Sequence, residues 1–290
     1  MEYTFIGFMK NSVTRNKITF TVLALCSVLS VVLTLFGAGF SSFTFAAFFI
    51  ALISAAVCFV CVLASTVTHY FRAVHKSGIK QFDSPIRPVF SAIVSNLLLC
   101  AIILAFTLAT VFSFFSTFKV YAGQNTELTE VVLKDIATLK QLGYSDVSYI
   151  VSMLLCSFFE YVDLLVTVIC SVSLARYFKE RKVLASVLGV FFINLISSYF
   201  QNILTAVAAN FASGIFEVVN NINKFYNDFR NSLTTHETVK VPYASDFTKL
   251  YLFSSMCTLI LIITLILISK TALKFPIKNG EENTDNKNNI

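Results

Sequence analysis

The chain has 290 residues, of which 56% are hydrophobic and only 13% are charged, and its mean hydropathy is +0.76. This composition lies outside the range of soluble globular domains. A formal charge of +6 would suit a nucleic-acid-binding protein. However, the basic residues lie beside the ends of long apolar stretches, where they set membrane orientation, so we expect no nucleic acid partner.

Six apolar stretches without a lysine or arginine occupy most of the sequence. In chain order they are Ile18–Phe40, Phe43–Thr68, Val89–Phe118, Ser148–Ala175, Val183–Ala209 and Leu250–Ser269. A helix of about 20 apolar residues crosses the hydrocarbon core of a bilayer. Inside that core every backbone polar group needs an internal partner, which a helix supplies. The sequence therefore predicts an all-α membrane protein with six transmembrane helices that contact membrane lipids.

Lysine and arginine are distributed unevenly between the two sides of the predicted membrane. If the spans alternate in direction, one side receives fifteen of the 22 basic residues and the other receives seven. Short loops rich in Lys and Arg remain in the cytoplasm. We therefore predict that both termini, the second-to-third loop and the fourth-to-fifth loop are cytoplasmic.

The segment before the first span has apolar residues at helical spacing. Phe5, Ile6, Met9 and Val13 fall on one face, opposite polar residues. Such a segment predicts an N-terminal interfacial helix that lies along the membrane surface. A frayed tail is the alternative.

Two segments on the predicted outer side are amphipathic, namely Thr126–Leu142, which Gly143 ends, and Gly214–Asn231. We expect them to pack on each other or on the membrane surface, because each has one apolar face. No segment outside the spans is long enough for a separate catalytic domain. We therefore predict one membrane domain over residues 1–275 and a polar, disordered cytoplasmic tail over residues 276–290.

The sequence contains no recognisable catalytic or cofactor motif. It has no phosphate-binding G-x-x-x-x-G-K-[ST] loop, no H-E-x-x-H, no G-x-S-x-G and no metal-ligand spacing. All seven cysteines lie within apolar stretches, which argues against a secreted disulfide framework. We therefore expect no enzymatic activity in this chain, and no cofactor or metal.

The fourth predicted helix carries two carboxylates near its middle. Glu160 and Asp163 are three residues apart and so share one face. A charged side chain at this depth costs about 2.5–3.5 kcal/mol on insertion scales. Asn194 and Gln201 form a polar stripe on the fifth helix, which could face the carboxylates across a tight hairpin. These four residues are candidates for a translocation pathway or a protonatable site, and simple interhelical hydrogen bonding is the alternative.

The second-to-third loop contains a second candidate site. Tyr70–Ser77 predicts a short helical stretch that Gly78 stops, and Asp83-Ser-Pro85 caps the next span. This stretch could be a surface for a cytoplasmic partner. It could equally be a plain solvated connector.

Two sequence segments resemble the small permease subunits of bacterial ABC transporters of the second (exporter) type. The first reads His69-Tyr-Phe-Arg-Ala-Val-His-Lys-Ser-Gly78 and is followed by Asp83-Ser-Pro-Ile-Arg-Pro88. The second reads Ser173-Leu-Ala-Arg-Tyr-Phe-Lys-Glu-Arg-Lys182 and is followed by Phe192-Ile-Asn194. The chain departs from these permeases in two ways, since Lys76-Ser-Gly-Ile-Lys80 replaces an acidic-Gly-Tyr-Leu element and Ala175 stands where glycine is common.

The resemblance implies a permease subunit in the plasma membrane of a Gram-positive bacterium. It implies that the subunit forms the translocation pathway, pairs with a second permease subunit and couples to a separate ABC ATPase subunit. The residues that would contact the ATPase are Phe71, Arg72, Val74, His75 and Lys76. An ion-coupled secondary transporter and a non-transport assembly or immunity protein are the rival hypotheses. The first rival would use Glu160 and Asp163 as ion carriers, but the sequence has no obvious inverted repeat.

Overall fold

The computed structural model describes residues 5–36, 42–76, 84–124, 134, 137–178, 181–211, 213–235 and 242–275. These residues form seven long helices in the following order: α1 (Phe5–Phe36), α2 (Ser42–Lys76), α3 (Ile86–Gln124), α4 (Val147–Leu174), α5 (Lys182–Phe211), α6 (Ser213–Thr235) and α7 (Ala244–Lys274). A 3-10 turn, Ala175–Tyr177, follows α4 directly.

Six of these helices are long and apolar enough to cross a membrane, which confirms the predicted fold class. They are α1 to α5 and α7, and each contains all or most of one apolar stretch of the sequence. Helix α6 is the amphipathic segment predicted over Gly214–Asn231, with Val218 and Ile222 buried on its apolar side. The other amphipathic segment, Thr126–Leu142, lies mostly outside the described residues. The predicted tail, residues 276–290, also lies outside them.

The N-terminal segment, which was predicted as an interfacial helix, is helical and continuous with the first span. Helix α1 runs without a break from Phe5. Phe8 is fully buried and its ring packs edge-on against His69 near the end of α2, with ring centroids 4.5 Å apart. Asn16 donates to Ser65 Oγ (2.8 Å). These contacts hold the first turns of α1 against the end of α2.

We call one end of the bundle the basic end. It is the end at which α2, α4 and α7 finish and α1 and α3 begin. One core cluster there joins Phe8, Val74, Val89 and Leu273 from four different helices. The two ends of the described chain therefore lie on the same side of the bundle, as the alternating topology requires. A second core cluster, centred on Leu23, joins α1, α2 and α3.

The opposite end is tied by contacts around the beginnings of α4 and α7. Gly143 has a positive φ of 84° and ends a helical turn at 137–141, as the sequence predicted. The Tyr144 hydroxyl donates to the carbonyl oxygen of Pro242 (3.0 Å), and Ala244 N donates to Leu142 O (2.9 Å). Helices α4 and α7 are therefore parallel neighbours that are fastened together at both ends.

Candidate functional site

The predicted ATPase-coupling residues lie in the last two turns of α2 and not in a separate loop helix. Val74 is only 3% exposed and belongs to the main core cluster, and Phe71 packs against that cluster. The rings of Phe71 and His75 are 4.3 Å apart. Arg72 is exposed, whereas the side chain of Lys76 lies outside the described set. Of the coupling residues described, Arg72 is therefore the one that presents its side chain most fully to a partner.

A polar junction joins α2, α4 and α7 at the basic end. The hydroxyls of Tyr70 and Ser173 form a hydrogen bond of 2.7 Å. Arg176 Nη1 donates to the Leu273 carbonyl oxygen at 3.0 Å, and the Tyr177 hydroxyl donates to Ala272 O at 2.8 Å. The last carbonyl groups of a helix have no partner within the helix, so these donors complete the end of α7. We refer to these bonds together as the polar junction.

The sequence places Arg176 among the basic residues of the fourth-to-fifth loop. In the structure its side chain is only 3% exposed. Arg176 lies in the 3-10 turn after α4, and its guanidinium group reaches the end of α7. A buried arginine is stable only where its donors are used, and the free carbonyl groups at the end of α7 provide acceptors.

The two carboxylates of α4 differ in their surroundings. Glu160 is exposed, and Cys156 Sγ is 3.5 Å from its Oε1. Asp163 is half-buried, and its Oδ1 is enclosed without a hydrogen-bond partner among the described residues. The hydroxyl of Thr167, one turn further on, is also enclosed without a partner. Asp163 and Thr167 therefore place two unsatisfied oxygen atoms on one face of α4, within a membrane span.

The predicted stripe of α5 contains Asn194 and Gln201. Among the described side chains of α5, Ser186 and Ser197 are buried, and Ile193 between them packs against the main core. Asn194 is exposed, and Gln201 is half-buried. Among the described residues, Asn194 forms no hydrogen bond with Glu160 or Asp163. A close contact between α4 and α5 lies at Ser171, whose hydroxyl donates to the carbonyl oxygen of Ser186.

A buried polar cluster in the interior of the bundle was missed by the sequence analysis. Asn96 of α3 is fully buried, donates to Thr66 Oγ1 of α2 at 3.1 Å, and accepts from the Tyr161 hydroxyl of α4. Cys100 Sγ lies 3.2 Å from the same hydroxyl. The sequence feature that could have predicted this cluster is Asn96 itself, which is the one amide side chain in the stretch Val89–Phe118. Its partners on α2 and α4 depend on how the helices pack.

The site as a whole combines a polar junction at one end with unsatisfied oxygen atoms deeper in the membrane. Among the described residues, no group of three or more His, Cys, Asp or Glu side chains could hold a metal ion. No family model, no curated protein and no solved structure matches the chain. The geometry defines the chain as a multi-pass membrane protein with six spanning-capable helices, and its function is argued from the residues alone.

Proposed function

We propose that the chain is the membrane-spanning permease subunit of an ATP-driven ABC transporter in a bacterial plasma membrane. It would form the translocation pathway, pair with a second permease subunit and take its energy from a separate ATPase. The observation that carries the proposal is the polar junction, which ties the end of α2 to α4 and α7. The two resembling sequence segments meet in this junction, because the first includes Tyr70 and the second includes Ser173 and Arg176.

The polar junction gives a route by which a force on the second-to-third loop reaches the membrane interior. A partner that displaces the end of α2 would displace Tyr70, and its bond to Ser173 would carry the movement into α4. Arg176 and Tyr177 would extend the movement to α7. Closely packed helices move as units in such transitions, because packed interfaces do not deform continuously. Asp163 lies on α4 and would move with it.

A partner ATPase is tested by charge reversal on the exposed residues beside the loop. Arg72 and Arg87 are both exposed and flank the loop on α2 and α3. We expect the double variant Arg72→Glu/Arg87→Glu to insert and fold normally but to lose copurification with the ATPase. Val74 is unsuitable for this test, because a charge at this buried position would disrupt the core whatever the function.

The matched control for that test is Arg15→Glu, since Arg15 is an exposed arginine of α1 toward the same end. It should leave association unchanged. The purified wild-type chain should hydrolyse no ATP. Unchanged copurification of the Arg72→Glu/Arg87→Glu variant would remove this surface from the proposed interface.

A second permease subunit is supported by polar side chains on the exposed side of the spans. Glu160 of α4 and Asn194 of α5 are both exposed, although each lies within a span. Polar side chains in contact with lipid are costly, and intramembrane polar residues commonly face a neighbouring helix or water. We expect a cysteine at Asn194, in a background without other cysteines, to form an oxidative dimer in membranes. A cysteine at the exposed Leu108 of α3 is the control and should stay monomeric.

An ion-coupled secondary transporter is the second candidate, and the unsatisfied oxygen atoms of Asp163 and Thr167 favour it. A protein that carries a proton or a cation needs such a site within the membrane. Asp163→Asn retains the shape of the side chain and removes its charge. If transport depends on a proton or cation at Asp163, the Asp163→Asn variant should lose transport in vesicles even when ATP and the ATPase are present. Transport by the wild-type protein that requires an ion gradient and no ATPase would refute the permease proposal.

A further inference from the structure

A shallow groove runs along α7 beside the end of α4 and encloses about 370 Å³. It is lined mainly by Leu174, Tyr177, Thr264, Leu267, Ile268 and Thr271. The α7 part of the groove, from Thr264 to Thr271, is about 10 Å long at a rise of about 1.5 Å per residue. The groove therefore covers the last two turns of the span before α7 reaches the basic end.

The groove has an apolar surface although several of its residues carry hydroxyl groups. Thr264 and Thr271 donate to carbonyl oxygens one turn earlier in α7, at 2.9 and 2.8 Å. The Tyr177 hydroxyl donates to Ala272 O at 2.8 Å. Because these hydroxyls are already bonded within the protein, the groove offers a ligand mainly methyl, methylene and ring carbons. Such a surface fits a hydrocarbon chain and not a polar solute.

Two lysines of α7 lie within three residues of the groove lining. Lys270 and Lys274 are exposed on the last two turns of α7. The sequence has no acidic residue between Asp246 and Glu281, so no carboxylate of α7 neutralises these lysines within that helix. An apolar groove in a membrane span with lysines where the span ends matches the shape and charge of an anionic phospholipid.

We propose that this groove binds one acyl chain of an anionic phospholipid, whose phosphate group pairs with Lys270 and Lys274. The lipid proposal does not rest on the proposed transport function, since it uses neither Asp163 nor the α2–α3 loop, although the groove shares Tyr177 with the polar junction. A lipid bound here would contact Tyr177 and would therefore touch the polar junction that joins α4 to α7. Lipid composition would then influence the stability of that junction.

The chain has no tryptophan, so a single introduced indole reports local lipid binding by fluorescence. Leu267→Trp places the indole at the groove, seven residues before Lys274. Val94→Trp is the matched control, because Val94 is 43% exposed on α3 and lies seven residues after Arg87. Each variant is reconstituted into phosphatidylcholine vesicles that contain either brominated phosphatidylglycerol or brominated phosphatidylcholine, both of which quench indole fluorescence.

We expect quenching of the indole at position 267 to report at least about fivefold higher affinity of the groove for phosphatidylglycerol than for phosphatidylcholine. A fivefold difference is about the effect of one lysine near a membrane surface. The indole at position 94 should show a smaller preference. Adding Lys270→Gln/Lys274→Gln to the Leu267→Trp variant should abolish the preference while quenching by phosphatidylcholine persists. Equal quenching by both lipids at position 267 would show ordinary annular lipid only and would overturn the proposal. A preference that survives removal of both lysines would overturn the assigned headgroup contact.

Discussion

The contact between α4 and α5 predicts an unusual response to a single methyl group at Gly189. A Cβ built on Gly189 would lie 3.3 Å from Ser171 Cβ and 3.7 Å from its Cα, and closer still to its Oγ. Ser171 Oγ cannot rotate away freely, because it donates to the carbonyl oxygen of Ser186. Gly189→Ala must therefore break that hydrogen bond or separate the two helices.

Two opposing effects set the size of the change. Alanine is favoured over glycine in a helix interior by about 0.8–1.0 kcal/mol. Overpacking in a well-packed contact costs about 1–3 kcal/mol. We therefore expect Gly189→Ala to reduce the free energy of unfolding by about 1 kcal/mol in the wild-type background. In a Ser171→Ala background the hydroxyl is gone, and the remaining 3.3 Å contact is only slightly tight. There Gly189→Ala should be neutral or stabilising.

The assay is a double-mutant cycle on the purified protein in mixed micelles, unfolded with a denaturing detergent and followed by circular dichroism. The expected coupling between the two sites is about 1–2 kcal/mol, well above the roughly 0.3–0.5 kcal/mol within which independent sites add. An effect of Gly189→Ala that is the same in both backgrounds would refute the proposed contact. A stabilising effect in the wild-type background would refute it as well.

Three further predictions concern the interior and the ends of the bundle. A cycle between Asn96→Leu and Tyr161→Phe should show a coupling of about 0.6–1.7 kcal/mol, the range for hydrogen bonds between transmembrane helices, and additive effects would contradict the bond. Arg176→Gln should speed hydrogen exchange in the last turn of α7 and leave its first turn unchanged, because Leu273 O loses the guanidinium donor. Unchanged exchange in the last turn would contradict the capping role. For topology, a single cysteine at Lys224 should react with an impermeant thiol reagent in intact cells and one at Arg181 should not, whereas the reverse pattern would place the termini outside.

The spanning helices could be predicted from the sequence because hydrophobic length alone determines them. The predicted beginning of the first span was less accurate, since Ile18 is where the uncharged stretch begins but α1 begins at Phe5. Basic and polar residues before Ile18 still form helix, and buried contacts of Phe8 and Asn16 hold that part of α1 in the bundle. Such contacts depend on the end of α2, which lies far away in the sequence.

The candidate site could be predicted only in part, because helical spacing fixes which residues share a face but not what each face meets. Spacing placed Glu160 and Asp163 on one face of α4, yet Glu160 is exposed whereas Asp163 is half-buried with its Oδ1 enclosed. The spacing of Asn194 on α5 was equally regular, yet that residue is exposed. Gly189 of α5 closely approaches Ser171 of α4. No local sequence pattern reveals that contact.

The polar residues inside the membrane are distinguished by whether their hydrogen bonds are used. Asn96 is fully buried, and both its amide nitrogen and its carbonyl oxygen have partners on neighbouring helices. Its role is explained by packing three helices together. Asp163 is nearer the surface of the bundle, and one of its oxygen atoms is enclosed with no partner among the described residues. A buried group without a partner destabilises the fold, so its presence requires another reason. Asp163 is therefore the better candidate for a residue kept for function, although Asn96 is the more deeply buried of the two.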